Sequence, residues 1–515
     1  MKTDSINSRL ESVVAEYGTK TALTFLRNGR AETEITFNQL LFDINRFAET
    51  LLHVGVQKGD RVILFIPKSI IGVVAHFAIL KVGAMAVPLN PGFKKNEIEY
   101  LLGDDRAKLI IAEPDKKALV KQIDSKAQIM EIHTSTPYQD IDFFRSTGES
   151  TPAIKIAEDD PGLVIYTSGT TGNPKGAVLT HKNLIYDASN IIDIWEITSA
   201  DVLGHALPLF HVHGLCFALH TALLSGAHVR MLDQFSPETA VAELSRKTSD
   251  SVFTIFMAVP AMYTKLMDFL GEKQLDFNHM RLFTSGSAPL PVKEFERITK
   301  VFCREPVERE GMSETGMNFS NPLTGKRIPG SIGLPLPGLQ VRIVAPDSPT
   351  DVDQGNVGEL WLKGAAITQG YWQKPQETAD TFIDGWFRTG DLGKVDTDGY
   401  YYLTDRIKHI IISGGENVSA KEVETIINQI DGIDESAVVG KPDEKWGEKV
   451  VAAVSLKPGS EVNEANIKDY CKVKLHDWKC PKEIKFLDEI PRNTMGKILK
   501  EEVKNIFELA DKNYS

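Results

Sequence analysis

Along the first 160 residues the apolar positions switch between two rhythms. RVILFIPKS, AMAVPLNPG and KLIIAE are short apolar runs ending in turn residues and predict strands, whereas IIGVVAHFAILKVG has a helical period. Alternating β and α units predict a largely parallel sheet covered by helices on both faces. HVRML, SVFTIFMAVP and MRLFTSG repeat the rhythm and predict a second βα layer between about 190 and 330. The stretch most like a membrane segment, Ile70 to Pro88, contains His76, Lys81, Gly72 and Gly83. It falls short of the roughly 18 uninterrupted apolar residues of a span and predicts a buried helix followed by a strand.

Beyond Pro329 the pattern turns to short strands and turns, as in VGELWLKG, GWFRTGD and VDTDGYYYL, with Asp398-Gly399 as a hairpin signal. After Asp405, Ser419 and Glu422 form an S-x-x-E capping signal ahead of an apolar helix stripe at Val423, Ile426, Ile427 and Ile430. The remainder reads as a compact α+β unit of about 110 residues, which places a boundary near Asp405.

Composition narrows the function. The 515 residues are 42% hydrophobic and 25% charged, values of a globular chain, and at roughly 150 residues per domain they suggest about three domains or subdomains. With 58 Lys and Arg against 70 Asp and Glu, the net charge of −12 and the lack of a basic stripe argue against nucleic acid. Four cysteines (Cys216, Cys303, Cys471, Cys480), none at C-x2-C spacing, suit reduced thiols rather than a disulfide scaffold or zinc site. The first 20 residues show no apolar signal core and the last three, NYS, no peroxisomal tripeptide, so a cytoplasmic location is expected.

Residues 166–176, YTSGTTGNPKG, carry the chemistry. Gly169, Gly172 and Gly176 permit a tight loop with converging N–H groups, Thr167, Ser168, Thr170 and Thr171 add hydroxyls, and Lys175 adds one positive charge. The loop follows an apolar strand and precedes a helical pattern, HKNLIYDASNIID, so a strand–loop–helix phosphate cradle is expected. It is not a Walker A loop, because Asn173 and Pro174 separate Gly172 from Lys175. A solvated Ser/Thr/Gly turn is the plainer reading of such a composition.

The loop resembles the signature of the adenylate-forming (AMP-binding) superfamily, and further blocks follow in the family's order: SGSAPL (285–290), GMSETG (311–316), GWFRTGDLG (385–393) and PRNTMGKILK (491–500). The resemblance runs from about residue 10 to 505 and points to the acyl-CoA synthetase branch. It implies an α/β chain: residues 1–404 form a large N-terminal domain of βα-layered subdomains plus a β-rich subdomain, and residues 405–515 a small mobile α+β domain hinged at Asp405. It further implies Glu314 as the Mg²⁺ ligand, and an ATP site including Gly286, Ser287, Ala288, Glu310, Gly311, Met312, Ser313, Asp391 and Arg406 beside the loop. Lys497 would be the catalytic lysine of adenylate formation. Gly414, Gly415 and Glu416 would line the path of coenzyme A after the domain turns.

The implied reaction is ATP-dependent joining of a carboxylic acid to CoA through an acyl-adenylate, releasing pyrophosphate and then AMP. The block LPLFHVHGL (207–215) lines the acyl pocket in the family, with His211 near the reacting centre and Val212 and His213 beside it. No Asp lies between Gly204 and Leu232, which argues against an amino-acid substrate. FHVHGL, MAVPAMYTKL and MRLFTSGSAPL most resemble malonyl-CoA synthetases. A dicarboxylate needs a cation for its second carboxylate, for which Lys265 and Arg281 are the sequence candidates, with Ser285 also facing the acid; a solvated helix lysine and a structural ion pair are the plainer readings of the two cations. Medium- or long-chain fatty acids are the alternative substrates, and luciferase-like or carrier-loading adenylation the remoter ones. Two departures stand out: Glu310 where relatives carry an aromatic residue, and His409 where they carry an acid. Monomer and homodimer are left open.

Overall fold

The computed structural model describes residues 5–141, 154–167, 174–247, 251–271, 273, 275–346, 348–413, 416–443, 446–493 and 496–512. They form two compact units, Met1–Gln340 with Lys363–Phe387, and Val341–Leu362 with Arg388–Ser515. By contacts, therefore, the segment 388–404 belongs with the C-terminal unit, whereas the sequence reading draws its line after residue 404.

The first unit holds two sheets. A six-stranded sheet runs in the order Ile129–Glu131, Leu109–Ala112, Arg61–Phe65, Met85–Pro88, Pro161–Thr167, Lys175–Thr180. All its pairs are parallel except the last. The helix Ile70–Lys81 is buried from Ile70 through Leu80, which explains why its sequence has no polar face. It packs on the helices Ile6–Tyr17 and Phe37–His53. The predicted buried helix and following strand are thus both present.

The second sheet has nine strands, ordered Leu334–Pro335, Gly316–Ser320, Val307–Met312, Leu282–Ser285, Ile255–Ala258, Val202–His205, His228–Leu232, Thr21–Arg27, Arg30–Thr36. Its middle is parallel and its two ends are closed by antiparallel pairs. HVRML, TIFMA and RLFTS, expected as strands, are three adjacent or near-adjacent members of this parallel core.

One local expectation is corrected. The glycine-rich loop does not lead straight into a helix; it joins two antiparallel strands, with Leu163 opposite Leu179, Val164 opposite Val178 and Ile165 opposite Ala177. Ala177 and Leu179 are buried by that pairing, so AVLT is consumed by the sheet before the helix His181–Ile194 begins. Thr180 caps that helix, accepting a hydrogen bond from the Asn183 N–H. A helix N-terminus therefore does not stand directly behind the loop.

The strand Trp386–Val395, in the second unit from Arg388 on, pairs antiparallel with Tyr401–Arg406 through the turn holding Asp398 and Gly399. Gly399 has φ +86°, the left-handed conformation such a turn demands. A further sheet, ordered Glu416–Ser419, Ile410–Ser413, Gly447–Leu456, Ile433–Asp443 with Glu483–Phe486 on Gly447–Leu456, is covered on both faces. Val438, Val450, Ala452 and Val454 meet Val423, Ile427, Ile467 and Cys471 on one side. Their sequence neighbours Ala437, Val439, Val451 and Ala453 meet Val503 and Phe507 on the other, as the two-residue period of a strand requires. Ser419 caps the helix Ala420–Ile427 as its sequence signal predicts.

Candidate active site

Ser168, Gly169, Thr170, Thr171 and Gly172 lie outside the described residues, but both ends of their loop are fixed. Tyr166 donates to Asp104 (2.9 Å), Tyr100 donates to the Pro174 carbonyl (3.0 Å) and Lys374 pairs with Asp104 (2.8 Å). Thr167 ends one strand and Lys175 starts the next, the Thr167 hydroxyl donating to the Lys175 carbonyl. The Lys175 ammonium lies 5.3 Å above the Tyr371 ring and makes no ion pair with a carboxylate among the described residues.

Glu314 sits in a three-residue hairpin turn between Val307–Met312 and Gly316–Ser320, Met312 pairing with Gly316. Gly316 has φ +71°, which closes such a turn without strain. Ser313 precedes Glu314 in that turn, and Gly311 is obligatory because a β-carbon there would lie 2.6 Å from the Gly316 carbonyl oxygen. Only 8% of Glu314 is exposed; its Oε1 accepts from Tyr371 (3.1 Å) and its carbonyl from the Thr368 N–H (2.7 Å). Among the described residues no three His, Cys, Asp or Glu side chains converge as a metal cage. One held carboxylate fits Mg²⁺, which takes few protein ligands and completes its shell with phosphate oxygens and water.

Next to this turn the structure gathers buried polar atoms that no protein group satisfies. Among the described residues, His211 Nε2, His213 Nε2, the Thr284 and Ser285 hydroxyl oxygens and all three guanidinium nitrogens of Arg309 have no hydrogen-bond partner. Such groups are costly in a folded interior and mark a place where a ligand is expected. Part of this set is close in space: Ser287, two residues past the strand Leu282–Ser285, has Oγ 3.1 Å from His213 Nδ1, and Arg309 presses on Gly286 with its guanidinium 5.1 Å from the Phe217 ring. Ser287 holds φ +69°, an uncommon value for a residue with a side chain, just before Ala288. Val212 is buried between the two histidines. Burial lowers the His211 imidazole to about 4 and holds His213 well below its ordinary value, so both are neutral near pH 7. Burial also pulls Arg309 down to about 10, against the attraction of Glu310 and Asp187; it stays a cation at neutral pH.

Arg309 escaped the sequence reading, which chose Lys265 and Arg281 instead. Both choices are corrected by position. Arg281 is bidentate to Asp201 (2.6 and 2.7 Å) and donates to the Trp195 and Glu196 carbonyls, so its donors are spent on the fold. Lys265 stands exposed on the helix Pro260–Leu270, opposite Met262, Leu266 and Met267 in the core. The sequence offers no signal for Arg309: Val307, Glu308 and Arg309 are all buried and only Glu310 is partly exposed, so VERE does not alternate. Glu310, the departure from the aromatic pattern, accepts a hydrogen bond from Asn318 Nδ2 (3.0 Å) on the paired strand.

The second unit carries its own cluster. Asp391 pairs with Arg406 (2.6 Å) directly across the hairpin. Burial raises the Asp391 carboxyl, while the charges of Arg406 and Lys497 oppose the rise, which places Lys497 within electrostatic reach. Lys408, unnamed by the sequence reading, is lowered to about 8 by burial and by Arg406 and Lys497. Lys497 follows a turn in which Gly496 has φ +76°, and its N–H donates to Asn493 Oδ1. Asp405 accepts from the Ser419 hydroxyl (2.6 Å) and the Lys421 N–H (3.0 Å), tying it to the start of the helix Ala420–Ile427. His409, the second departure, has Nδ1 3.7 Å from Asp405. Glu416 is exposed at a strand start; Gly414 and Gly415 lie outside the described residues.

The chain belongs to the AMP-binding enzyme family, which residues 10–372 match, with residues 422–497 matching its C-terminal domain. It is an AMP-forming acid–CoA ligase. It is 35% identical over 483 residues to a mitochondrial malonate–CoA ligase of Bos taurus, covering 87% of this chain and 82% of that one. A long-chain-fatty-acid–CoA ligase of Mycobacterium tuberculosis is 33% identical over 478 residues, covering 91% and 92%. The crystal structure of ATP-bound MatB from Rhodopseudomonas palustris superposes with a TM-score of 0.90 at 34% identity, covering 98% and 99%.

Proposed function

We propose that the acid is a small dicarboxylate, malonate or methylmalonate, and that Arg309 binds its second carboxylate. The supporting observation is the buried guanidinium, none of whose three nitrogens has a hydrogen-bond partner among the described residues. A carboxylate is the group that satisfies such a fork with two parallel charge-assisted hydrogen bonds. A fatty chain in the same place would leave the charge buried and unpaired, at a cost of several kcal/mol, on the order of 3.

The reacting carboxylate then attacks the α-phosphorus of ATP, pyrophosphate leaves, and an acyl-adenylate forms. Neutral His211 and the Ser285 hydroxyl orient this carboxylate in this reading, which their unsatisfied buried atoms support. Lys175 and the glycine-rich loop hold the outer phosphates, Gly286 to Ala288 border the base, Asp391 and Arg406 take the ribose, and Lys497 offsets charge growing on the α-phosphate. Mg²⁺ bound at Glu314 would supply Lewis-acid stabilisation of the phosphates. Rotation about Asp405 would then withdraw Lys497 and bring the segment 414–416 to the thioester step, in which the CoA thiol displaces AMP. The site of action is proposed to be cytoplasmic; four free thiols suit any reducing compartment, and the bovine relative is mitochondrial, so fractionation of the tagged chain decides. Among the described residues no helix is long and apolar enough to cross a membrane.

Pyrophosphate release across a panel of acids, with and without CoA, tests this reading. Malonate-dependent pyrophosphate accompanied by CoA-dependent thioester supports it; release with fatty acids and none with malonate overturns it.

A further inference from the structure

The side chain that touches both the carboxylate and the phosphate lysine is Tyr371. Its hydroxyl donates to Glu314 Oε1 (3.1 Å) and its ring lies beneath the Lys175 ammonium (5.3 Å). Its backbone is clamped to the strand that leaves the glycine-rich loop. Ala177 bridges to Tyr371, the Val178 N–H donates to the Gly370 carbonyl and the Trp372 N–H to the Gly176 carbonyl. The Tyr371 N–H is taken by Thr378 Oγ1 (2.9 Å), and the Thr368 hydroxyl donates to the Val178 carbonyl. A residue fixed at this many points has little freedom, so what its side chain holds is fixed with it.

We propose that Tyr371 is a positioning residue of the MgATP site: its phenol sets the orientation of the Glu314 carboxylate while its ring seats the Lys175 ammonium. The proposal rests on the reading of Glu314 as the metal ligand. A carboxylate with one oxygen engaged by a phenol presents the other in a defined direction, the usual way a protein orients a metal-binding carboxylate. Lys175, lying over an aromatic face rather than paired with a carboxylate, keeps its charge available for phosphate.

The test measures binding. Mn²⁺ in place of Mg²⁺ is followed by electron paramagnetic resonance with ATP present, and metal-free ATP by calorimetry, for the wild type, Tyr371→Phe, Tyr371→Leu and Glu314→Gln. The phenylalanine variant retains the ring and its packing and removes the hydroxyl. It is expected to weaken Mn²⁺ by about tenfold, as loss of a partner of a metal ligand does, with metal-free ATP bound as in the wild type. Tyr371→Leu is expected to weaken both. Wild-type Mn²⁺ affinity in Tyr371→Phe, with Glu314→Gln impaired, overturns the positioning role. Wild-type Mn²⁺ affinity in Glu314→Gln overturns the metal-ligand reading on which it stands.

Discussion

Arg309 lies directly against the backbone of Gly286: a β-carbon at position 286 would sit 2.6 Å from both Cζ and Nε of the guanidinium. The glycine makes room for the cation.

Replacing Arg309 by Met separates substrate recognition from stability. Loss of a charge-assisted pair with the distal carboxylate is expected to lower kcat/KM for malonate by about a hundredfold, on the order of 3 kcal/mol, with a far smaller effect on a monocarboxylate. The ligand-free protein is expected to melt at a higher temperature, because an unpaired buried charge has been exchanged for an apolar side chain. Steady-state kinetics and calorimetry together check both halves.

Lys497→Ala is expected to lower adenylate formation by about a hundredfold or more, while leaving thioester formation from a supplied acyl-adenylate largely intact. Rapid-quench measurement of the two half-reactions tells them apart. Equal loss in both removes Lys497 from the first step.

The buried imidazoles give stability a defined pH dependence. Burial lowers His181 and His211 to about 4 and His205, His220 and His228 to about 3, all below the ordinary value near 6.5. The folded state therefore holds them neutral where the unfolded chain protonates. Their contribution is complete above pH 6.5 and is lost as pH falls toward 4, each adding about 1.4 kcal/mol per pH unit to the slope. Urea midpoints are expected to be level from pH 7 to 8 and to fall steeply between 6.5 and 5.

Much of this was legible in the sequence because it depends on local signals. The buried helix Ile70–Lys81, the Asp398-Gly399 turn and the Ser419 cap each follow from period, turn chemistry or capping within a dozen residues. The hairpin at 161–180 was misread because AVLT is too short to declare itself a strand until Leu163 to Ile165 pair with it. Arg281 and Arg309 look alike in sequence, each beside an apolar run. Distant partners separate them: Asp201 takes the donors of one, and no hydrogen-bond partner among the described residues takes those of the other. Tyr371 was not legible, since 57 residues separate it from its hydrogen-bond partner Glu314.

The most direct measurement is kcat/KM for malonate and for octanoate, by pyrophosphate release with CoA present. A site built around an unpaired buried arginine is expected to favour malonate by about a hundredfold or more. Octanoate used as well as malonate, or better, would contradict the assignment of Arg309 and with it the dicarboxylate.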